Sequence, residues 1–169
     1  MNHIHNRTIR RYVVAFVLLI LAGYISVAIK DTIDSRNPEV SLPIINVTTG
    51  YASIPNVPRA GYEWSFRTKK LMAPYVSSID IPLVAYDALP DVPILIGFSV
   101  PHNQLILYES EGVLINGRVV ASEEFSEKRY SNNTPNEEGI YVYKVVARFD
   151  QGTIVHYFAL DVSASRASI

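Results

Sequence analysis

The longest unbroken hydrophobic run, Tyr12 to Ile29 (YVVAFVLLILAGYISVAI), holds 18 consecutive residues without a charge. As a helix rising about 1.5 Å per residue it reaches roughly 27 Å, close to the ~30 Å hydrocarbon core of a bilayer. It has neither an amphipathic stripe nor a neighbouring helical pattern, as a core helix would, and it predicts a transmembrane segment. After it the pattern changes twice. Lys30 to Leu42 (KDTIDSRNPEVSL) is polar, carries one proline and predicts a short linker or stalk. From Pro43 onward apolar residues fall in short runs divided by Pro, Gly, Asn and Asp, with no sustained 3.6 period, which predicts strands and turns.

The alternation places the strands. Ile44–Thr48 is a first short one. Gly61–Thr68 puts Tyr62, Trp64 and Phe66 on one face and Glu63, Ser65 and Arg67 on the other. Ser78–Val84 is broken by Pro82. Pro93–Val100 (PILIGFSV) is apolar on both faces and reads as a central strand. Gln104–Glu109 and Val113–Ala121 follow, and Asn116-Gly117 inside INGRVV marks a hairpin turn, splitting the second run into Val113–Ile115 and Arg118–Ala121. The clearest unit is C-terminal: two strands of about ten residues, within Gly139–Val162, flank Asp150-Gln151-Gly152. On its first strand Tyr141, Tyr143, Val145, Ala147 and Phe149 share one face. On its second, Ile154, Phe158, Leu160 and Val162 share a face with His156.

About seven strands and no helix after the apolar run predict an all-β fold, an immunoglobulin-like antiparallel β-sandwich. Within it, Tyr141 stands where such domains carry a corner tyrosine, and Tyr143 where they carry a core cysteine. The domain expectation is then 1–11 a cytoplasmic tail, 12–29 the transmembrane segment, 30–42 the linker, 43–162 the extracellular sandwich and 163–169 a frayed tail. The core residues expected are Trp64, Ile94, Ile96, Phe98, Tyr143, Val145, Phe158 and Leu160.

Charge sets the orientation. Arg7, Arg10 and Arg11 precede the run with no acid among them, whereas the remainder carries twelve basic residues against sixteen acidic. Short positive flanks stay cytoplasmic, so residues 30–169 are expected outside. A cleaved signal peptide is the competing reading, with Ser26-Val27-Ala28 as its exit, although the run is long for that class. An acidic outer region does not suit nucleic-acid binding. The chain has no cysteine, which excludes a lipoprotein, thiol catalysis and zinc–thiolate or iron–sulfur sites.

The elements Gly61-Tyr62-Glu63-Trp64 and Gly139-Ile140-Tyr141-Val142-Tyr143-Lys144-Val145-Val146-Ala147-Arg148-Phe149 resemble a group of uncharacterised membrane-attached, immunoglobulin-like surface proteins of Gram-positive Firmicutes. The shared pattern is an early Gly-x-Tyr-x-Trp and a late Gly-x-Tyr-x-Tyr-x-Val-x-Ala-x-Trp or Phe. Many members are lipoproteins with a cysteine beside the early tyrosine. Glu63 stands there in this chain, and a helix replaces the lipid. The resemblance implies a cell-surface β-sandwich and brings no activity with it.

Candidate chemistry is sparse. The stripe Tyr62, Trp64, Phe66 could stack on a sugar, but at strand spacing it reads as an inner face. Met1-Asn2-His3 and His5 could chelate copper or nickel, a pattern that terminal tails reach by chance. His102 lies in a loop and His156 on an apolar strand face, the latter read as a hydrogen-bonded residue at the core edge. Glu123, Glu124, Glu127, Glu137 and Glu138 around Lys128 and Arg129 lack the spacing of a calcium loop. Arg67, Lys69 and Lys70 could meet anionic lipid or wall polymer, or be a solvated strand end. No nucleophile-elbow, zinc-protease, P-loop or dinucleotide motif occurs. The expectation is therefore no catalytic, cofactor-binding or metal residue. The chain reads as a single-pass cell-membrane protein, held by Tyr12–Ile29, with a non-catalytic binding or structural domain whose protein or cell-wall partner is unknown. The alternatives are an accessory subunit of a membrane complex and a surface hydrolase using His102 or His156.

Overall fold

The structure is a computed structural model that describes residues 2–50, 52–121, 125–127 and 133–164, with side chains from Arg10 onward. Glu123, Glu124, Lys128, Arg129 and the end of the expected frayed tail lie outside the described residues, as do the side chains of His3 and His5. The chain divides into two compact units.

The first unit is built on α1 (Asn2–Arg36), followed by α2 (Pro38–Ser41). The apolar stretch of α1 is exposed along its length, and the helix is long and apolar enough to cross a membrane. The segment expected as a linker is helical. Lys30 to Arg36 hold no proline or glycine, so nothing stops α1 before Asn37-Pro38. Pro38 then opens α2 at a position where its missing N–H costs nothing. The loop Phe66–Lys70 belongs to this unit. Asp31 is its anchor: Oδ1 accepts the Arg67 N–H at 2.8 Å, and Oδ2 accepts the Thr68 N–H at 2.9 Å and the Thr68 hydroxyl at 2.7 Å.

The second unit is all β. In chain order its strands are β1 (Ile45–Thr49), β2 (Ala52–Ile54), β3 (Arg59–Ser65), β4 (Lys70–Ala73), β5 (Ala85–Ala88), β6 (Ile94–Phe98), β7 (Gln104–Ile115), β8 (Arg118–Ala121), β9 (Ser126–Glu127), β10 (Gly139–Phe149) and β11 (Gly152–Val162). The expected sandwich of about seven strands is thus a two-sheet domain of eleven described strands, several of them short. A small sheet has the order β2-β1-β6, and a large one β4-β3-β11-β10-β7-β8, with β5 and β9 added at its sides.

The hairpin β10–β11 is the centre of the large sheet, paired without interruption from Gly139↔Val162 to Phe149↔Gly152. β7 lies along the other edge of β10. The free edge of β11 is shared. β3 pairs antiparallel with Gly152 to His156, and β5 pairs parallel with Ala159 to Val162. The β3 pairing slips between Val155 and His156, opposite Gly61 and Arg59, so that Ala60 is the extra residue of a bulge. The parallel pair departs from the antiparallel expectation. The large sheet curls: β8 turns back at Asn116-Gly117, both in the left-handed region, and Val119 bridges Leu83 just ahead of β5.

Both faces of the large sheet are packed. On one, Leu107, Tyr143, Val145, Phe158, Leu160 and Val162 meet Val47, Ile54 and Ile94 of the small sheet. On the other, inside the curl, Val142, Val155, Tyr157 and Ala159 meet Ala60, Leu83, Val119 and Ala121. The expected core residues all lie on the first face or at its end, with Ile96 and Phe98 only half-buried. Tyr143 stacks on Phe158 at 4.8 Å.

β6 is a correction. Its apolar residues on both faces predict a central strand, yet it is an edge of the small sheet, with Leu95 61% exposed. Only Ile94, Ile96 and Phe98 turn toward the core, because the small sheet is covered on one side alone.

Candidate functional site

The candidate side chains gather at one end of the core. Trp64 meets Phe149 edge-on at 5.4 Å, and Phe149 meets Phe98 at 5.3 Å. His102, near the end of the β6–β7 turn, packs against Phe98 at 5.8 Å and Phe149 at 6.5 Å. His156 lies against Phe98 at 6.0 Å. The strands explain the gathering. Gly152 pairs with Trp64, bringing β3 beside the β10–β11 turn, and the Ser65 N–H donates to the Gln151 carbonyl at 2.7 Å. At Gly152 a Cβ would stand 1.9 Å from the Glu63 carbonyl oxygen, so only glycine permits the approach.

The two histidines therefore share an aromatic cluster, and the cluster has the character of a core. Trp64 and Tyr62 are buried, so this part of the stripe is an inner face of β3, but the strand ends at Ser65, short of the expected Thr68, and Phe66 lies in the loop Phe66–Lys70. His156 is 3% exposed, and neither ring nitrogen makes a well-formed hydrogen bond. Burial is the main cause that lowers its pKa from 6.5 to about 4, and the Arg59 guanidinium adds to it. The Val57 and Pro58 carbonyls pull the other way without reversing the shift. The ring is thus neutral near pH 7. Among the described residues no carboxylate bonds to either histidine, and no group of His, Asp and Glu is arranged to hold a metal ion.

Tyr141 does what its position predicts. Its hydroxyl donates to the Glu137 carbonyl at 3.1 Å, tying β10 to the corner before it, although the ring is only half-buried. Its phenol is pushed up by burial and by Glu137, Glu109 and Glu111. Tyr143, opposite Glu109 on β7, is raised by deeper burial and by that carboxylate.

Two features were not visible in the sequence. Thr134, buried, closes the turn ahead of β6: its hydroxyl donates to the Leu89 carbonyl at 2.6 Å and accepts the Val92 N–H at 3.0 Å. Beside that turn lies a groove of about 530 Å³, between the β1–β2 turn and the end of β5, walled by Thr49, Ala52, Ala88, Leu89, Val92 and Pro93. Its lining is mostly apolar, with Asp87 the charged member, and suits a largely apolar group. It shares no residue with the histidine cluster. The chain matches no protein-family model, no curated protein and no solved structure.

Proposed function

We propose that this chain is a single-pass membrane protein with its N-terminus in the cytoplasm and a non-catalytic binding or structural domain at the cell surface. One observation carries the reading: an exposed apolar helix of membrane-spanning length precedes a folded β domain. Arg10 and Arg11 flank that helix on the side held inside. The histidine cluster supports a non-catalytic role, because its members are packed on one another rather than on a carboxylate or a cleft.

We further infer an immunoglobulin-like plan. The run β11-β10-β7-β8 has the neighbour order of strands G, F, C and C′, with Tyr141 near the start of the F equivalent and bonded back to its corner. Trp64 on β3 and the parallel β5–β11 pair are this chain's departures from that plan. Kinship with the Gram-positive surface proteins of similar pattern belongs to the same reading.

Protease added to intact cells tests the topology. A C-terminal tag should be lost and an N-terminal tag kept. Protection of the C-terminal tag would overturn the orientation, and a shortened form released to the medium would replace the anchor with a cleaved signal peptide.

A further inference from the structure

Asp31 lies two residues past Ile29, the last residue of the apolar stretch, or about 3 Å further along the helix. Its carboxylate holds the loop Phe66–Lys70 through three hydrogen bonds, two of them from backbone amides. Bonds to a charged acceptor are the strong kind, and two on the backbone fix the loop whatever its side chains do. The loop is therefore pinned within a turn of the point where the apolar stretch ends.

The loop brings charge to that level. Arg67 and Lys69 are exposed, and Lys30 is exposed on the helix beside Asp31. Of the two acids on this part of the helix, Asp31 spends both oxygens on the loop and also faces the Arg67 guanidinium, and Asp34 is a turn further on. Basic side chains at the headgroup level are drawn to an anionic leaflet, whose potential is felt within a Debye length of about 10 Å at 0.1 M salt. Guanidinium groups also match phosphate in geometry.

We propose that Lys30, Arg67 and Lys69 form a seat for the phosphate groups of anionic phospholipids, in the leaflet from which the helix emerges toward the domain. The proposal rests on the membrane-spanning reading of Tyr12–Ile29. The clamp supplies the pre-organisation: the loop is ordered by Asp31 before any lipid arrives, so contact with phosphate carries little further ordering cost.

The test uses the full chain in nanodiscs of phosphatidylcholine alone and of phosphatidylcholine mixed with phosphatidylglycerol. Acylation of each lysine is followed by mass spectrometry, with Lys144 of β10 as the internal reference. Lys69 should react severalfold more slowly in the anionic discs, and high salt should abolish the difference. Asp31→Ala should abolish it too, since that variant frees the loop and keeps every basic residue. Should that variant misfold, Lys30→Gln with Arg67→Gln keeps the clamp, because Asp31 bonds the Arg67 backbone, and should still reduce the protection. Equal rates in the two lipids would overturn the proposal. So would protection seen only in intact envelopes, which assigns the loop to an anionic polymer outside the membrane. A chain that washes off the discs at alkaline pH would overturn the spanning reading and this proposal with it.

Discussion

Acid should loosen this domain through His156 in particular. The ring is 3% exposed, lies against Phe98 and beside Arg59, and has a pKa lowered from 6.5 to about 4. A depressed histidine binds its proton more weakly in the folded state than in the unfolded one. Its contribution is therefore intact above about pH 6.5 and is lost as pH falls from there toward 4. The shift of 6.5 to about 4, at 1.36 kcal/mol per unit, puts the loss at about 3 kcal/mol, a large share of the 5–15 kcal/mol that a domain of this kind commands. Carboxylates also destabilise in acid, so the informative quantity is a difference between variants. His156→Leu removes the titrating group together with two ring nitrogens that lack well-formed hydrogen bonds. At pH 7.5 it should be neutral or slightly stabilising. At pH 4.5 it should exceed the native chain by about 2–3 kcal/mol. Trp64, the only tryptophan and a buried one, reports unfolding by fluorescence during denaturant titration in detergent. Parallel stability–pH curves for the two proteins would refute the reasoning.

Phe158→Ala should cost about 3–5 kcal/mol, because the ring is 1% exposed and stacked on Tyr143, and a cavity there has no room to collapse; the same denaturant titration reads it. Tyr141→Phe should cost only about 0.5–1 kcal/mol, since the lost bond to Glu137 lies at the surface, and a thermal melt unchanged within error would remove the corner from the argument. Gly152→Ala should cost about 2–4 kcal/mol, because the Cβ would drive β3 from β11, and exchange of the Ser65 amide, bonded to Gln151, should quicken in proportion. Residues 43–164 expressed alone should melt in one cooperative step with strand-type circular dichroism, and a disordered fragment would favour the accessory-subunit alternative.

The parts of the fold that were legible in the sequence are those whose pattern is local. Tyr12–Ile29 announces itself by length and lack of charge. The β10–β11 hairpin does so by alternation around Asp150-Gln151-Gly152, and its faces fall as the alternation assigns them. β6 misleads because a two-faced apolar strand and an edge strand with an exposed Leu95 carry the same letters. β5, four residues long and holding Asp87, has no alternation to advertise its parallel pairing with β11. The helical course of Lys30–Arg36 was hidden by its polarity, which signals solvent rather than conformation. As for the candidate site, the sequence identified His102, His156 and Trp64 but not their convergence. That depends on the β3–β11 pairing and its bulge at Ala60, a contact between segments some ninety residues apart. The Asp31 clamp was equally out of reach, since it joins positions 36 and 37 residues apart through backbone amides that have no sequence signature.

The shared edge of β11 has a consequence for the order of assembly. Of the described strands it is the last to be synthesised, yet β3, β5 and β10 all pair with it. Until residues 152–162 have emerged, β3 and β5 cannot join β10, and the pairings open to the chain are β3–β4, β10–β7, β7–β8, β7–β9 and the small sheet. A chain cut short before Gly152 therefore loses its middle rather than its end. The native contacts bridge long sequence separations, which makes the final step slow relative to a helical domain of equal size. During that interval Trp64, Leu83 and the apolar face of β10 stand uncovered, and exposed apolar surface of this kind makes the incomplete chain prone to aggregation.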